Sequence, residues 1–325
     1  MTGIHYVALS IPFCWKNRSD YIETHATIAS FSSSDSWAIL SAMEKSIKAK
    51  IEAVGKPLKD WDVQINYGIK TGCNEAFIID STKRNEILNN CITEEERKKT
   101  DEIIRPILRG RDISRYSYDW AGLWLIWIPW HFPLHLNNSI QGASEKAERD
   151  FIEQYPALYN HMLQYKDSLS KRNKAETGIR YEWYTLQRWG ANYWEDFSKP
   201  KIIWKRVGSI IRFSYDTLGI LGLDSTCFAV GSHIPYLCCV LNSSMGHYLL
   251  NNAPRTGTGD LLISVQAVEP IKIPPVPDNE NMFELFIKEM DINPSVELET
   301  KIDNVIFDLY GLNQEEREFI SENYR

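Results

Sequence analysis

Leu40, Met43, Ile47, Ile51 and Val54 recur at three- and four-residue spacing, the period of a helix with one apolar face. Asp35 or Ser36 can cap this helix and Gly55 stops it, as expected of a side-chain oxygen at one end and a glycine at the other. Residues 1–34 show only short apolar pieces mixed with Ser and Thr, running into the loop FSSSDS. After Pro57, INYGIKTGCNEAFIID (65–80) reads as strand, glycine turn, strand. Thr93-Glu-Glu-Glu96 has capping-box spacing and starts a second helix, limited by Pro106. AGLWLIWIP (121–129) is apolar without alternation, the pattern of a strand buried on both faces, closed by Pro129. From Ser144 the chain reads as helix (EKAERDFIEQY), breaks at Pro156, and resumes as helix to about Lys171. KIIWKRV, SIIRFSY and STCFAV give residues from Lys201 onward a strand texture. IPYLCCVLNSSMGHYLLNN then reads as a helix, RTGTGD (255–260) as a loop, and IKIPPVP (271–277) ends this body. Beyond it, Leu298, Ile302, Val305 and Leu309 line one helical face that Gly311 terminates, and Asn313 with Glu316 caps a last helix. Its acidic residues lie mostly on the other face, so the tail is expected to pack on the body or on a partner.

Composition sets limits on this picture. A chain of 325 residues exceeds one small core and predicts one large domain or two. No apolar run approaches the ~18 residues of a membrane span. The start of the chain lacks a basic segment followed by a clean apolar one, so no signal peptide is expected. Six cysteines with no CxxC pair predict neither a zinc ribbon nor a disulfide scaffold, and point to a reducing cytoplasm. The net charge of −7 is unevenly spread: residues 1–100 balance, residues 101–212 carry +4, and residues 213–325 carry −11. A body near neutrality with a basic middle can bind a polyanion locally, although its summed field would steer one weakly.

Several stretches carry candidate chemistry. GIKTGCN (68–74) lacks the spacing of a phosphate-binding GxxxxGK[ST] loop and of GxGxxG. It is either a tight turn needing positive φ at Gly68 or Gly72, or a ligand loop in which Lys70, Thr71 and Asn74 donate hydrogen bonds. RPILRGRDISRY concentrates Arg105, Arg109, Arg111 and Arg115. Such density suits phosphate contacts and bidentate guanine readout, or a surface loop paired with Asp101, Glu102 and Asp112. In KIIWKRVGSIIRF, strand alternation sends Lys201, Ile203 and Lys205 to one face and Ile202, Trp204 and Arg206 to the other. With Arg212, these residues form either a basic ribbon sized for a major groove or a half-solvated strand pair. RTGTGD reads as an ordinary loop before a phosphate-binding one. His131 and His135 have metal-like spacing, but Pro133 prevents the helix that would align their rings and no Cys or carboxylate stands close in sequence, so no metal site is assigned. Asp80, Glu96 and Lys98 resemble a nuclease half-site, yet they lie in or near a charged helical run that reads as a solvated face. An amino-methyltransferase needs a [DN]PP[YF] loop, and IPPVP lacks both the Asn/Asp and the aromatic. No complete catalytic site is found.

Taken together, INYGIKTGCNEAFII, RPILRGRDISRY, GLWLIWIP, YPALYNHMLQYKDSLSKR, KPKII, STCFAV, VLNSS and IDNVIFDLYGLNQEE resemble, in order, the TaqI-like C-terminal specificity domains. These are the DNA target-recognition parts of type IIG restriction–modification enzymes and related adenine-specific DNA methyltransferases. The resemblance spans roughly residues 36–325. It implies an α+β fold: a twisted mixed-sheet body with flanking helices over 36–277, and a helical C-terminal segment over 278–325. Residues 1–35 would be the exit from a preceding catalytic domain. The implied partners are double-stranded DNA and a methyltransferase or endonuclease domain or subunit. S-adenosylmethionine and Mg²⁺ would serve those catalytic parts, with no cofactor in this chain. The expected DNA-binding residues are Lys70, Thr71, Asn74, Arg109, Arg111, Arg115, Lys205, Arg206 and Arg212, with no catalytic residue. Two other readings stay open: a Mg²⁺-dependent nuclease built on Asp80, Glu96 and Lys98, and an interaction module whose acidic tail (279–325) docks a partner.

Overall fold

A computed structural model of the chain describes residues 5–8, 27–30 and 40–324. Strands β1 (His5–Ala8) and β2 (Thr27–Ser30) pair antiparallel. Helix α1 (Ala42–Val54) leads to β3 (Lys56–Pro57) and β4 (Val63–Tyr67). One helical turn, α2 (Asn74–Phe77), opens into β5 (Ile78–Asp80), α3 (Ser81–Asn89) and α4 (Glu94–Ile103). There follow β6 (Ile104–Leu108), β7 (Leu123–Ile126), α5 (Glu145–Gln154), α6 (Pro156–Leu163) and α7 (Lys166–Lys171). A strand-rich stretch comes next: β8 (Lys201–Lys205), β9 (Val207–Gly208), β10 (Phe213–Asp216), β11 (Leu221–Gly222) and β12 (Thr226–Gly231). Helices α8 (Ile234–Asn242) and α9 (Ser244–Leu250) precede β13 (Leu261–Leu262), α10 (Val265–Val268) and β14 (Lys272–Ile273). The chain closes with α11 (Asn281–Ile292), α12 (Val296–Leu309) and α13 (Gln314–Asn323). The fold is α+β.

A central sheet in the order β10-β8-β12-β4 has antiparallel neighbours throughout, and a second, mixed sheet runs β11-β6-β7-β5. Alternation along the central strands explains their unbroken apolar runs. Ile202, Trp204, Cys227 and Ala229 face one buried cluster, shared with α1, α8 and the C-terminal helices. Ile203, Phe228 and Val230 face another, built on β5, β6, β7, α5, α6 and the aromatic side chains of Phe132, Phe151 and Tyr184. The central sheet is therefore covered on both faces.

Local signals set many element ends. Ser144 accepts from the Ala147 amide at 3.2 Å and caps α5, and Pro156 begins α6. Thr93 accepts from the Glu96 amide at 3.1 Å to start α4. Asn313 and Glu316 form a reciprocal capping box on α13, and Gly311, at φ +64°, ends α12. Elsewhere the structure departs from the pattern. The first helix is capped by Ser41, which exchanges hydrogen bonds with Glu44, whereas Asp35 and Ser36 lie outside the described residues. The 65–80 stretch is not a hairpin: β4 joins the central sheet, β5 joins the second sheet, and α2 intervenes. Residues 234–250 form two helices, because Ser243 turns extended and caps the second.

Candidate nucleic-acid interface

The end of β4, the end of β6, the end of β8 and the start of β12 meet at one edge of the two sheets. There the chain leaves β4 through Gly68, and the Ile69 amide donates to the Gly222 carbonyl at 2.7 Å. The Asp224 amide donates back to the Ile69 carbonyl at 2.8 Å, and the Leu223 amide donates to the Leu108 carbonyl at 3.1 Å. Ser225 ties two further loops together: its carbonyl accepts from the Arg206 amide at 2.9 Å, and its hydroxyl accepts from the Gly110 amide at 3.3 Å. Lys70 pairs through its backbone with Arg188, each amide donating to the other's carbonyl at 2.9 Å. The Ile263 amide donates to the Arg206 carbonyl at 2.8 Å, which brings the segment after RTGTGD to the same edge.

This edge gathers Lys70, Arg111, Lys205 and Arg206 from the expected set, together with Arg188. Lys205 and Arg111 are exposed. The Lys205 stem lies across Gly110, where an added Cβ would come within 2.8 Å of its Cγ. The Arg206 guanidinium sits 5.8 Å from the Tyr67 ring centroid, in reach of a cation–π contact. Arg212 is exposed and precedes Phe213, whose register partner is Trp204, so it stands at the same sheet end. Among the described residues, no ion pair engages Lys70, Arg111, Arg188, Lys205, Arg206 or Arg212.

Of the remaining expected residues, Arg109, Arg115 and Thr71 are committed inside the fold, whereas Asn74 is exposed and accepts from Thr71 through its Oδ1. Arg109 grips Asp112 through both Nε and Nη2, at 3.0 and 2.6 Å to the two carboxylate oxygens. Burial pushes the Asp112 carboxyl up, but hydrogen bonds from the Arg109 side chain and amide outweigh it and hold the group below its ordinary range. Arg115 reaches away from the edge, donating to the Asn242 carbonyl at 2.8 Å and pairing with Glu299 of α12 at 2.9 Å. The Thr71 hydroxyl is buried and donates to Asn74 Oδ1 at 2.6 Å, closing the GIKTGCN turn on itself. Gly72 takes the left-handed conformation expected of it, at φ +75°.

Residues 201–213 form neither of the two arrangements considered for them, an independent basic ribbon or a half-solvated strand pair. β8 is an interior strand between β10 and β12, and Lys201 is fully buried, cross-paired with Asp216. Asp216 also accepts from the Tyr118 hydroxyl at 2.9 Å and from the Leu218 and Ile220 amides at 3.0 Å each. Burial lowers the Lys201 pKa, with Asp216 opposing. Only the stretch past Lys205 leaves the sheet, and its partner is β13 rather than a neighbouring strand of its own hairpin: Val207 pairs with Leu262 and Gly208 with Leu261.

Arg172 went unsingled in the sequence although it ends the YPALYNHMLQYKDSLSKR stretch. Its guanidinium donates to the carbonyls of Thr71 at 2.6 Å, Trp183 at 2.9 Å and Thr185, bolting the GIKTGCN turn to residues 183–185. Burial lowers its pKa to about 10. Arg188 sits in no motif and carried no sequence signal. The nuclease constellation has a different occupation. Glu96 is buried, and its two carboxylate oxygens accept from the Ile92 and Ala157 amides at 2.7 and 2.9 Å. Asp80 caps α3 through the Lys83 amide at 2.8 Å. The His131 ring pairs with Glu182 at 3.0 Å, while the His135 ring lies edge-on to Trp127. No helix of the described residues is long and apolar enough to cross a membrane.

The family model of the TaqI-like C-terminal specificity domain matches residues 105–271, just over half of the chain. No curated protein matches the sequence. Among solved structures, the chain is similar to the type IIL restriction–modification enzyme MmeI in complex with DNA, at TM-score 0.53 and 12% identity, over 92% of this chain and 39% of that one. It is also similar to the type IIG restriction endonuclease BpuSI, at TM-score 0.45 and 11% identity, over 83% of this chain and 34% of that one. The chain thus spans less than half the length of either.

Proposed function

We propose that this chain, which belongs to the family of TaqI-like C-terminal specificity domains, reads the sequence of double-stranded DNA on behalf of a restriction–modification enzyme. The observation that carries this reading is the convergence at one sheet edge of Lys70, Arg111, Arg188, Lys205 and Arg206, with Arg212 at the same end of the central sheet. Rigid strands fix where each of these loops begins. Cations on long stems can then reach phosphates and set the register of the duplex, while Asn74 and the guanidinium groups supply the donors that base edges need. The likeness to the fold seen in the DNA-bound MmeI structure agrees with this use of the domain.

In this reading the chemistry belongs to separate catalytic domains or subunits. These would bind S-adenosylmethionine and Mg²⁺, and would flip an adenine out for methylation or cut the duplex. Residues here hold and read the duplex. The nuclease alternative gains no support from geometry, because Glu96 is engaged by two backbone amides. The tail-docking alternative has no specific observation in its favour, since the C-terminal helices bury their apolar faces in this chain's own core.

The test is selection of bound duplexes from a random library with the full chain, at low and at moderate salt. Enrichment of one motif, with an affinity that falls steeply as salt rises, is the expected result. Retention of no duplex above background at low salt would overturn the reading.

A further inference from the structure

Ile210 stands out at the proposed interface. It is 59% exposed, in the bend between β9 and β10, with Lys205 and Arg206 before it and Arg212 after it. An exposed aliphatic side chain alone needs no explanation. This one is held in place by its surroundings. Ile211, the next residue, is buried and anchors the bend in the core beneath the central sheet. On the other flank, β9 pairs with β13, and the Arg206 carbonyl accepts from the Ile263 amide at 2.8 Å. The Trp204 indole donates to the Ile263 carbonyl at 2.8 Å, which fixes the β13 side as well. Alongside runs the RTGTGD turn, closed by the Thr256 amide donating to the Asp260 carbonyl at 2.8 Å. At Gly257 and Gly259 an added Cβ would meet nothing within 4 Å, so this side of the ribbon is open.

We infer that the β9–β13 ribbon enters the major groove and that Ile210 reads a thymine by packing on its 5-methyl group. The inference rests on the DNA-reading function proposed above. A two-stranded ribbon fits the major groove, and the thymine methyl is the one apolar feature that a base pair presents there. Lys205, Arg206 and Arg212 supply the cations that hold a ribbon between phosphate strands. Asp260, the half-buried carboxylate just before β13, accepts from the Thr258 hydroxyl at 3.2 Å and would stand near base edges, where an acidic side chain accepts from a cytosine amino group.

The test uses the full chain and the duplex enriched by selection. Each thymine in turn is replaced by deoxyuridine, which removes only the methyl group. Wild type is expected to lose about threefold to fivefold in affinity at one position, the worth of one buried methyl. Ile210→Ala should lose a similar factor on the thymine duplex and then be indifferent to deoxyuridine at that position, whereas Ile210→Val should retain most of the sensitivity. Because Ile210 is exposed, thermal melts of these variants should match wild type. If deoxyuridine costs wild type and Ile210→Ala equally at every position, or if the selected site holds no thymine, the contact does not exist even though the chain reads DNA. An equal loss by Ile210→Ala on every substituted duplex, with bending of the DNA, would replace the methyl contact by a wedge between bases. If no duplex is enriched, the function and this contact fail together.

Discussion

Arg109 and Arg111 stand two residues apart and have different tasks. Arg109 is spent on Asp112, whose carboxylate it holds from both Nε and Nη2, while Arg111 is exposed at the edge. Replacing Arg111 or Lys205 by Ala should weaken binding to every duplex and lower the slope of log affinity against log salt by about 1, as expected for one lost phosphate contact. Melting temperatures should not move. Arg109→Ala leaves a buried carboxylate short of its main partner and should cost about 1–2 kcal/mol in stability, with the salt slope little changed. Fluorescence anisotropy across a salt series, beside thermal melts, separates the two kinds of arginine. A salt slope that responds to Arg109→Ala while stability does not would reverse the assignment. Sequence density placed both arginines in one candidate patch and offered Asp112 as a partner, but spacing along the chain does not reveal which guanidinium takes it.

At the scale of elements, Gly68 is where the chain crosses between sheets. Its amide still pairs with β12, donating to the Thr226 carbonyl at 3.1 Å, while Ile69 bridges to Leu223 beside β11. A Cβ on Gly68 would overlap the Leu223 carbonyl. Gly68→Ala should therefore displace the Lys70 loop and β11 together, costing about 1–3 kcal/mol as an overpacking change does. Urea unfolding should show that loss, and DNA affinity should fall with it; unchanged stability would mean that the crossing is looser than its geometry. Helix ends were legible in the sequence because caps are local: Thr93, Ser144 and Asn313 each bond to an amide three residues ahead. Sheet partners were not legible, since β4 pairs with β12 and β9 with β13 across long separations. The same cause hid the burial of Lys201, whose neutralising partner Asp216 is set by strand register rather than by spacing along a helix. The GIKTGCN turn was legible as a glycine turn between two strands, but α2 was not, because one helical turn is too short to leave a periodic signal.

For the whole molecule, the acidic tail and the neutral body are one structure. Phe283, Phe286, Ile302, Ile306, Phe307, Tyr310 and Ile320 share a buried cluster with Ile202, Trp204 and Ala229. Deleting residues 279–325 should therefore expose one face of the central sheet and abolish cooperative unfolding; a truncated body that still melts as one sharp transition would refute that shared core. The same packing fixes how the chain responds to acid. His247 on α9 accepts its place between helices in the neutral form: burial, and then the nearby Arg115 charge, lower its pKa to about 4. Its Nδ1 lies 3.1 Å from the Tyr324 carbonyl in the last turn of the chain. Burial also lowers His161 and His135, with backbone hydrogen bonds opposing. A histidine depressed in the fold takes up its proton first in the unfolded chain. The stability it provides is complete above pH ~6.5, the unfolded value, and drains away as pH falls toward 4. From pH 7 to 5 the His247 share alone comes to about 2 kcal/mol. Over that range the depressed carboxylates Asp112 and Glu316 contribute little, since their ordinary range lies lower. Urea unfolding of the full chain should thus show stability falling steadily from pH 7 to 5, and His247→Gln, which cannot take up the proton, should flatten that fall by about the same 2 kcal/mol. An identical slope in the variant would place the acid response in His161 and His135.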